Sequence, residues 1–314
     1  MAGSGTVRAV REWLVAADDR TGAFEVAGLL SGVIGPVSVT VGTAPAGNGV
    51  VDLGSRALAP VDATALAAAV DEQPSTWTAH KIDSTLRGNW ARELLARQAV
   101  SDRRLVVLPG WPELGRTCGD GLVRAHGAPV GRPADELPGA DSLAGVAALR
   151  RWLAGEKRIA VCDVPDSDTM HELAAALVGA DVLIAGPGGP IGAAFAAHIG
   201  APVAPSSSLA VSPSPLSPPA LSGTIAVICG SANAVSHEQL RRLSIARPDI
   251  AVMSVPVSEG KLRSEVASAL AVRAARWIAD AQPDTIIVIG GDTAAALLGD
   301  ARRSVGGFVA PGMP

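Results

Sequence analysis

Trp13-Leu14-Val15-Ala16-Ala17-Asp18-Asp19-Arg20-Thr21-Gly22-Ala23-Phe24 runs from an apolar stretch through paired carboxylates into a glycine turn. Trp13 to Ala17 is apolar throughout, as suits a strand buried on both faces, and the spacing of Phe24, Ala27 and Leu30 predicts an amphipathic helix directly after it. Strand, polar turn, helix is the building unit of a parallel α/β sheet. Ligands of such sheets bind at the carboxyl ends of the strands, which is where Asp18 and Asp19 fall.

The same rhythm recurs outward along the chain. Strands are predicted at Trp13–Ala17, Val37–Val41, Thr76–Ile82, Leu105–Leu108, Arg158–Cys162, Val182–Ala185, Ile225–Cys229, Ala251–Val255 and Thr285–Ile289, most followed by Gly, Asp, Ser or Pro. Ala201–Gly223 is too rich in Pro and Ser for a helix or a central strand. Its centre, 206–222, reads as a linker between a first domain at 1–205 and a second at 223–314. The expected fold is α/β, two domains, each a mostly parallel sheet flanked by helices, with a ligand cleft between them.

Composition narrows the partner. No apolar run in the 314 residues approaches the roughly 20 that span a bilayer. Acidic residues follow the apolar start at once, so the N-terminus reads as a core strand and not a secretion signal. A formal charge of -4 with interspersed signs, three Phe and no Tyr leave neither an electrostatic footprint nor stacking platforms for nucleic acid. Cys118, Cys162 and Cys229 are odd in number and far apart, which favours reduced, buried thiols in a cytoplasmic protein. A small molecule is the expected partner.

Five segments and one loop arginine carry chemistry. Asp18 and Asp19 suit binding of Mg2+, hydrogen bonding to hydroxyls or proton abstraction, although Asp19 would serve equally as a helix cap. His80-Lys81-Ile82-Asp83-Ser84-Thr85-Leu86-Arg87-Gly88-Asn89 packs charges and hydroxyls into a strand-to-helix corner; Lys81 and Arg87 suit a carboxylate, Asp83 and Ser84 suit hydroxyls, and Asn89 reads as a helix N-cap. Pro109–Thr117 is a rigid loop that would present Arg116, and Arg56 lies in a loop where a lone Arg is usually solvated. Ser231 follows a strand, with Ser236 and Gln239 spelling a capping box beyond it. Gly290-Gly291-Asp292-Thr293 opens a helix that Gly299 closes, and amides at such a start face phosphates. A P-loop is excluded, and Gly186-Pro187-Gly188-Gly189-Pro190 reads as a loop.

In this order the segments resemble the four-carbon acid sugar kinase family: A-D-D-x-T-G-A, K-x-D-S-T-x-R-G, P-x-x-P-x-x-G-R-T, a G-S early in the second domain and G-G-D-T-A. The resemblance covers nearly the whole chain. It implies a sugar-acid domain followed by an ATP domain, an active site in the cleft between them, and Mg2+ with the nucleotide. Asp18, Asp19, Lys81, Asp83, Ser84 and Arg87 then match the acid-sugar motifs, and Ser231, Gly290, Gly291, Asp292 and Thr293 the nucleotide motifs; Arg56 and Arg116 are further substrate-binding candidates and Gly312 a further nucleotide-binding candidate. Family members continue past the P-G-x-P matched by Pro311–Pro314 into a strand and a K-x-G-G-x-G loop, which these 314 residues do not contain.

The expected activity is ATP-dependent phosphorylation of a sugar-acid hydroxyl, with Asp19 as base and Lys81 and Arg87 on the substrate carboxylate. Metal ligands are not assigned, and a homodimer is a further expectation. The alternatives are a non-catalytic sugar-acid-binding paralogue and an enzyme of different chemistry on a related hydroxy acid.

Overall fold

A computed structural model describes residues 11–201, 223–231, 234–255, 263–299 and 302–306, which fall into two compact units. The first contains β1 (Arg11–Ala17), α1 (Arg20–Ile34), β2 (Val37–Val41), β3 (Gly49–Asp52), a single 3-10 turn at Ser55–Ala57, α2 (Pro60–Val70), β4 (Ser75–Lys81), α3 (Trp90–Ser101) and β5 (Arg104–Val107). It continues through β6 (Arg116–Gly119), β7 (Leu122–Ala125), β8 (Ala128–Gly131), α4 (Pro133–Glu136), β9 (Asp141–Leu143), α5 (Gly145–Leu153), β10 (Ile159–Cys162), α6 (Ser167–Ala176), β11 (Val182–Gly186) and α7 (Gly188–His198). The second contains β12 (Ile225–Cys229), α8 (Ala234–Ala246), β13 (Ala251–Ser254), α9 (Arg263–Ala281), β14 (Thr285–Ile289) and α10 (Gly291–Leu298). The chain then returns to the first unit as β15 (Arg303–Val305).

Among the described residues the first unit's main sheet has the order β15-β2-β3-β1-β4-β11-β5-β10-β9, with every pairing parallel except β15 on β2. Strand alternation divides β1 between two cores. Val15 and Ala17 pack with α1 and α7 residues such as Val26, Leu30, Ile191 and Phe195. Leu14 and Ala16 pack with Val51, Ala67 and Val70 beneath α2. Each face is closed by helices, so a fully buried side chain such as Leu14 contributes about 2 kcal/mol. The fully buried Arg97 ties α3 to its neighbours by donating to the Asp71 carboxylate, Ala79 O and Thr78 Oγ1.

β1 is followed by α1 on one face, and β4 by α3 on the other, where α2 also packs. The strand order reverses here, which makes the carboxyl ends of β1 and β4 a topological switch point, the place where ligands of such sheets bind. Register keeps those ends level: Asp52, Ala17, Lys81 and Gly186 lie in one row across β3, β1, β4 and β11.

The second unit is a parallel sheet in the order β13-β12-β14. Val227 and Cys229 of β12 pack with Leu240 of α8, while Ile228 packs with Leu270 and Ala274 of α9.

Several expectations need correction. The second domain does not run uninterrupted to 314, because Arg303–Val305 pairs with Val37–Val39 of the first sheet. Gly186–Pro190 is not a loop: Gly186 ends β11 and Gly188–Pro190 opens α7, where Pro190 costs no helix bond because the first-turn N–H groups have no partner within the helix. Arg116 and Thr117 lie in β6, one strand of the antiparallel sheet β6-β7-β8 that the alternation did not reveal. Ser236 lies inside the first turn of α8, which starts at Ala234, so Ser236 and Gln239 form no capping box. The linker 206–222 and Gly312 lie outside the described residues.

Candidate functional site

The row of strand ends gathers an ion-pair network. Asp18 is fully buried, and Arg56 donates to both its oxygens, Nε at 2.8 Å and Nη2 at 2.9 Å. Arg56 Nη1 also donates to Asp19 at 2.7 Å, and Nη2 lies 3.5 Å from Asp83. Asp83 in turn accepts from Arg87 Nε and Nη2 and from Thr85 Oγ1. Arg56, whose place in a loop left solvent and site equally open, is therefore the hub that joins the carboxylates following β1 and β4.

Asp19 occupies an extended conformation, φ -146° and ψ 164°, from which its carboxylate accepts from Gly22 N at 2.8 Å. Cap and ligand group are thus one residue, since the other carboxylate oxygen faces Arg56. Gly22 leaves room for two charged groups: a Cβ would sit 2.7 Å from Asp19 Oδ1 and 2.9 Å from Lys81 Nζ. Lys81, buried at the end of β4, donates to Ile82 O at 3.0 Å and lies 3.5 Å from Glu25 Oε1.

Burial and pairing split the carboxylates. Burial raises the Asp18 carboxyl above its ordinary range against the pull of Arg56 and Lys81. Burial likewise raises Glu25. Burial would raise Asp83 too, but hydrogen bonds from Arg87 and Thr85 and the Arg56 charge outweigh it and hold that carboxyl well below the usual range. Burial disfavours the Arg56 cation, yet Asp18, Asp19 and Asp83 together keep it firmly charged.

Ser84 is half-buried beside this network, and the hydroxyl bonded to Asp83 belongs to Thr85. Arg116 donates to Leu114 O within its own hairpin, and no contact joins it to the Asp18–Asp83 network among the described residues. Sequence reasoning missed Glu25, although its spacing of three from Gly22 puts both on one helix face. It also missed the fully buried pair His80 and Glu93, 3.0 Å apart; neither residue type signals burial.

In the second unit the turns after β12 and β14 meet. Gly230 N donates to Ile289 O, and a Cβ on Gly230 would overlap Thr293 Oγ1. Gly290 holds φ at +112°, a conformation open to glycine, and its Cβ would press on Ser231 N. Thr293 is buried in the first turn of α10, with no hydrogen-bond partner for its hydroxyl among the described residues. Asp292 stands in the same turn. Backbone amides at a helix start beside glycines are of the kind that take a phosphate oxygen. Among the described residues no group of three or more His, Cys, Asp or Glu is placed to hold a metal ion.

The family described as Sugar-binding N-terminal domain matches residues 13–136, the stretch that carries the whole Asp18–Arg87 network. A D-threonate kinase of Cupriavidus necator is 33% identical, over 54% of this chain and 50% of that protein. The chain is similar, over its first unit, to a four-carbon acid sugar kinase. It spans about half the length of that kinase. Two solved structures share the fold at 20% identity. One, from Haemophilus influenzae and of family DUF1537, has a TM-score of 0.62 and covers 95% of this chain and 92% of its own. The other, from Salmonella typhimurium LT2 and labelled a tRNA synthase, has a TM-score of 0.68 and covers 96% of this chain and 91% of its own. At that identity the label does not carry over to a sugar-acid kinase relative.

Proposed function

We propose that the chain is an ATP-dependent kinase that phosphorylates a hydroxyl of a small sugar acid. The observation that carries the reading is the level row of strand ends at a topological switch point, which gathers Asp18, Asp19, Arg56, Lys81 and Asp83. Asp18 is sealed from solvent, whereas the Asp19 side chain is 27% exposed, so Asp19 is the carboxylate able to meet a hydroxyl. Asp19 would accept the hydroxyl proton as that oxygen replaces the ADP oxygen on the transferred phosphorus, ADP leaving with the electrons of the broken bond. The ammonium of Lys81 and the exposed guanidinium of Arg87 take the substrate carboxylate.

Gly290, Gly291, Asp292, Thr293 and Ser231 are the residues proposed to take the nucleotide. When bound, ATP supplies the phosphoryl group, and Mg2+ is carried mainly on its phosphates, in keeping with how sparingly proteins ligate that ion. A cytoplasmic setting and a homodimer belong to the same proposal. Among the described residues no helix is long and apolar enough to cross a membrane.

The test is incubation with ATP, Mg2+ and a panel of D-threonate, erythronate and their oxo and longer analogues, with products read by mass. A phosphorylated acid is expected, and its absence across the panel with folded protein defeats the kinase reading. A second reading, sugar-acid binding without turnover, draws on the family match lying wholly in the first unit. Calorimetry with D-threonate and with ATP separates the two, since the binder alone gives heat only with the acid.

A further inference from the structure

Asn89 stands at the cap position of α3 but does not cap it. Its backbone, φ -97° and ψ 11°, is nearly helical, and its side chain makes no hydrogen bond to the first-turn amides. Asp19 and Asp166, both extended, show what a working cap looks like, each accepting from an amide three residues on. The Asn89 amide reaches the other way. Its Nδ2 donates to Ser55 O and to Leu58 O, each at 3.0 Å, bracketing the single turn that carries Arg56. Both partners are carbonyls, so the nitrogen must face them and the amide orientation is dictated.

Gly88 completes the seat. It holds φ at +88°, and a Cβ there would lie 2.8 Å from Arg56 Cγ. The Arg56 turn has no side-chain cap of its own; Gly54 N on the Asp52 carboxylate and Arg56 N on Asp18 O, at 2.9 and 3.1 Å, hold its start. We infer that Asn89 is a positioning residue for Arg56: it locks the Ser55–Leu58 turn so that one guanidinium spans Asp18, Asp19 and Asp83. The inference rests on the proposed acid site, to which it adds a residue that touches neither substrate nor carboxylate.

Asn89→Asp discriminates between the two roles. Asp caps helices as well as Asn does but cannot donate to carbonyls, so a capping role leaves this variant unharmed. Arg56 labelling by phenylglyoxal, mapped by mass spectrometry and normalised to Arg241 of the second unit, reports the seat directly. The expectation is Arg56 labelled several-fold faster in the full-length variant, with D-threonate affinity in calorimetry lowered about tenfold by the two lost bonds. Unchanged Arg56 labelling overturns the inference, including when the variant is merely less stable. If the wild type binds no D-threonate, the proposed function fails while the labelling ratio still decides this point. Should Asn89→Asp fail to fold, Asn89→Ser, which caps but keeps a single donor, serves instead. Intermediate labelling upholds the role and wild-type labelling refutes it.

Discussion

Asp18 and Asp19 are neighbours in sequence and opposites in environment. Asp18 is enclosed and held by Nε and Nη2 of the Arg56 guanidinium, and Asp19 shares itself between a helix amide, Arg56 Nη1 and solvent. Asp19→Asn should keep the cap, since Asn caps as well, and lower turnover with D-threonate by at least about a hundredfold while binding survives. Steady-state kinetics beside calorimetry check this, and unchanged turnover removes Asp19 from the base role. Asp83 permits a test through pH. Its folded carboxyl lies below its ordinary value because Arg87, Thr85 and Arg56 outweigh burial, so its contribution to stability is complete above the unfolded value of about 4 and declines as pH falls toward the folded one. The stability gap between wild type and Asp83→Asn in urea unfolding should therefore be widest near neutrality and narrow below about pH 4. A gap that does not change with pH would show that the charge of Asp83 is irrelevant. The residue types of this site were legible from spacing, but the hub was not. Arg56 lies 37 residues from Asp19, and only the parallel pairing of β1 with β3 brings its turn beside them.

At the scale of elements, the starts of α1 and α7 form the floor of the site. Gly22 admits the Lys81 ammonium, and Gly188 admits the Glu25 carboxylate, whose Oε1 would lie 2.7 Å from a Cβ there. Gly22→Ala pits two effects against each other. Helix propensity favours Ala by about 1 kcal/mol, whereas the new methyl crowds Asp19 and Lys81. Lys81 can yield because its far end is flexible, so the melting temperature should hold or rise while D-threonate affinity falls about tenfold. A thermal scan paired with calorimetry measures both, and undiminished affinity would count against Lys81 as a substrate ligand. Elements with long apolar runs were readable: Val37–Val41, Ile225–Cys229 and Thr285–Ile289 are strands over their predicted spans. β3 and β6–β8 escaped because four-residue strands rich in Gly and polar residues carry almost no periodicity. Asn89 looked like a cap because composition cannot tell an extended backbone from a nearly helical one.

At the scale of the molecule, the chain leaves the first unit, builds β12 to α10, and comes back as β15 on the edge strand β2. Removing 302–314 deletes that strand and exposes the β2 edge. Calorimetric scanning should then show the transition of the first unit moved down by several degrees and that of the second little changed. The reverse pattern would mean that the Arg303–Val305 pairing contributes nothing to the first sheet. Taken alone, the order of apolar runs and turn residues determined the α/β class, the strand ends where polar residues collect, and the chemical types available there, because strand burial and turn chemistry are local. Tertiary structure alone decided which of those residues meet. Partnership depends on register and crossover across tens of residues, so it made Arg56 the hub, sealed Asp18 away, enlisted Asn89 and Glu25, and sent β15 home to the first sheet.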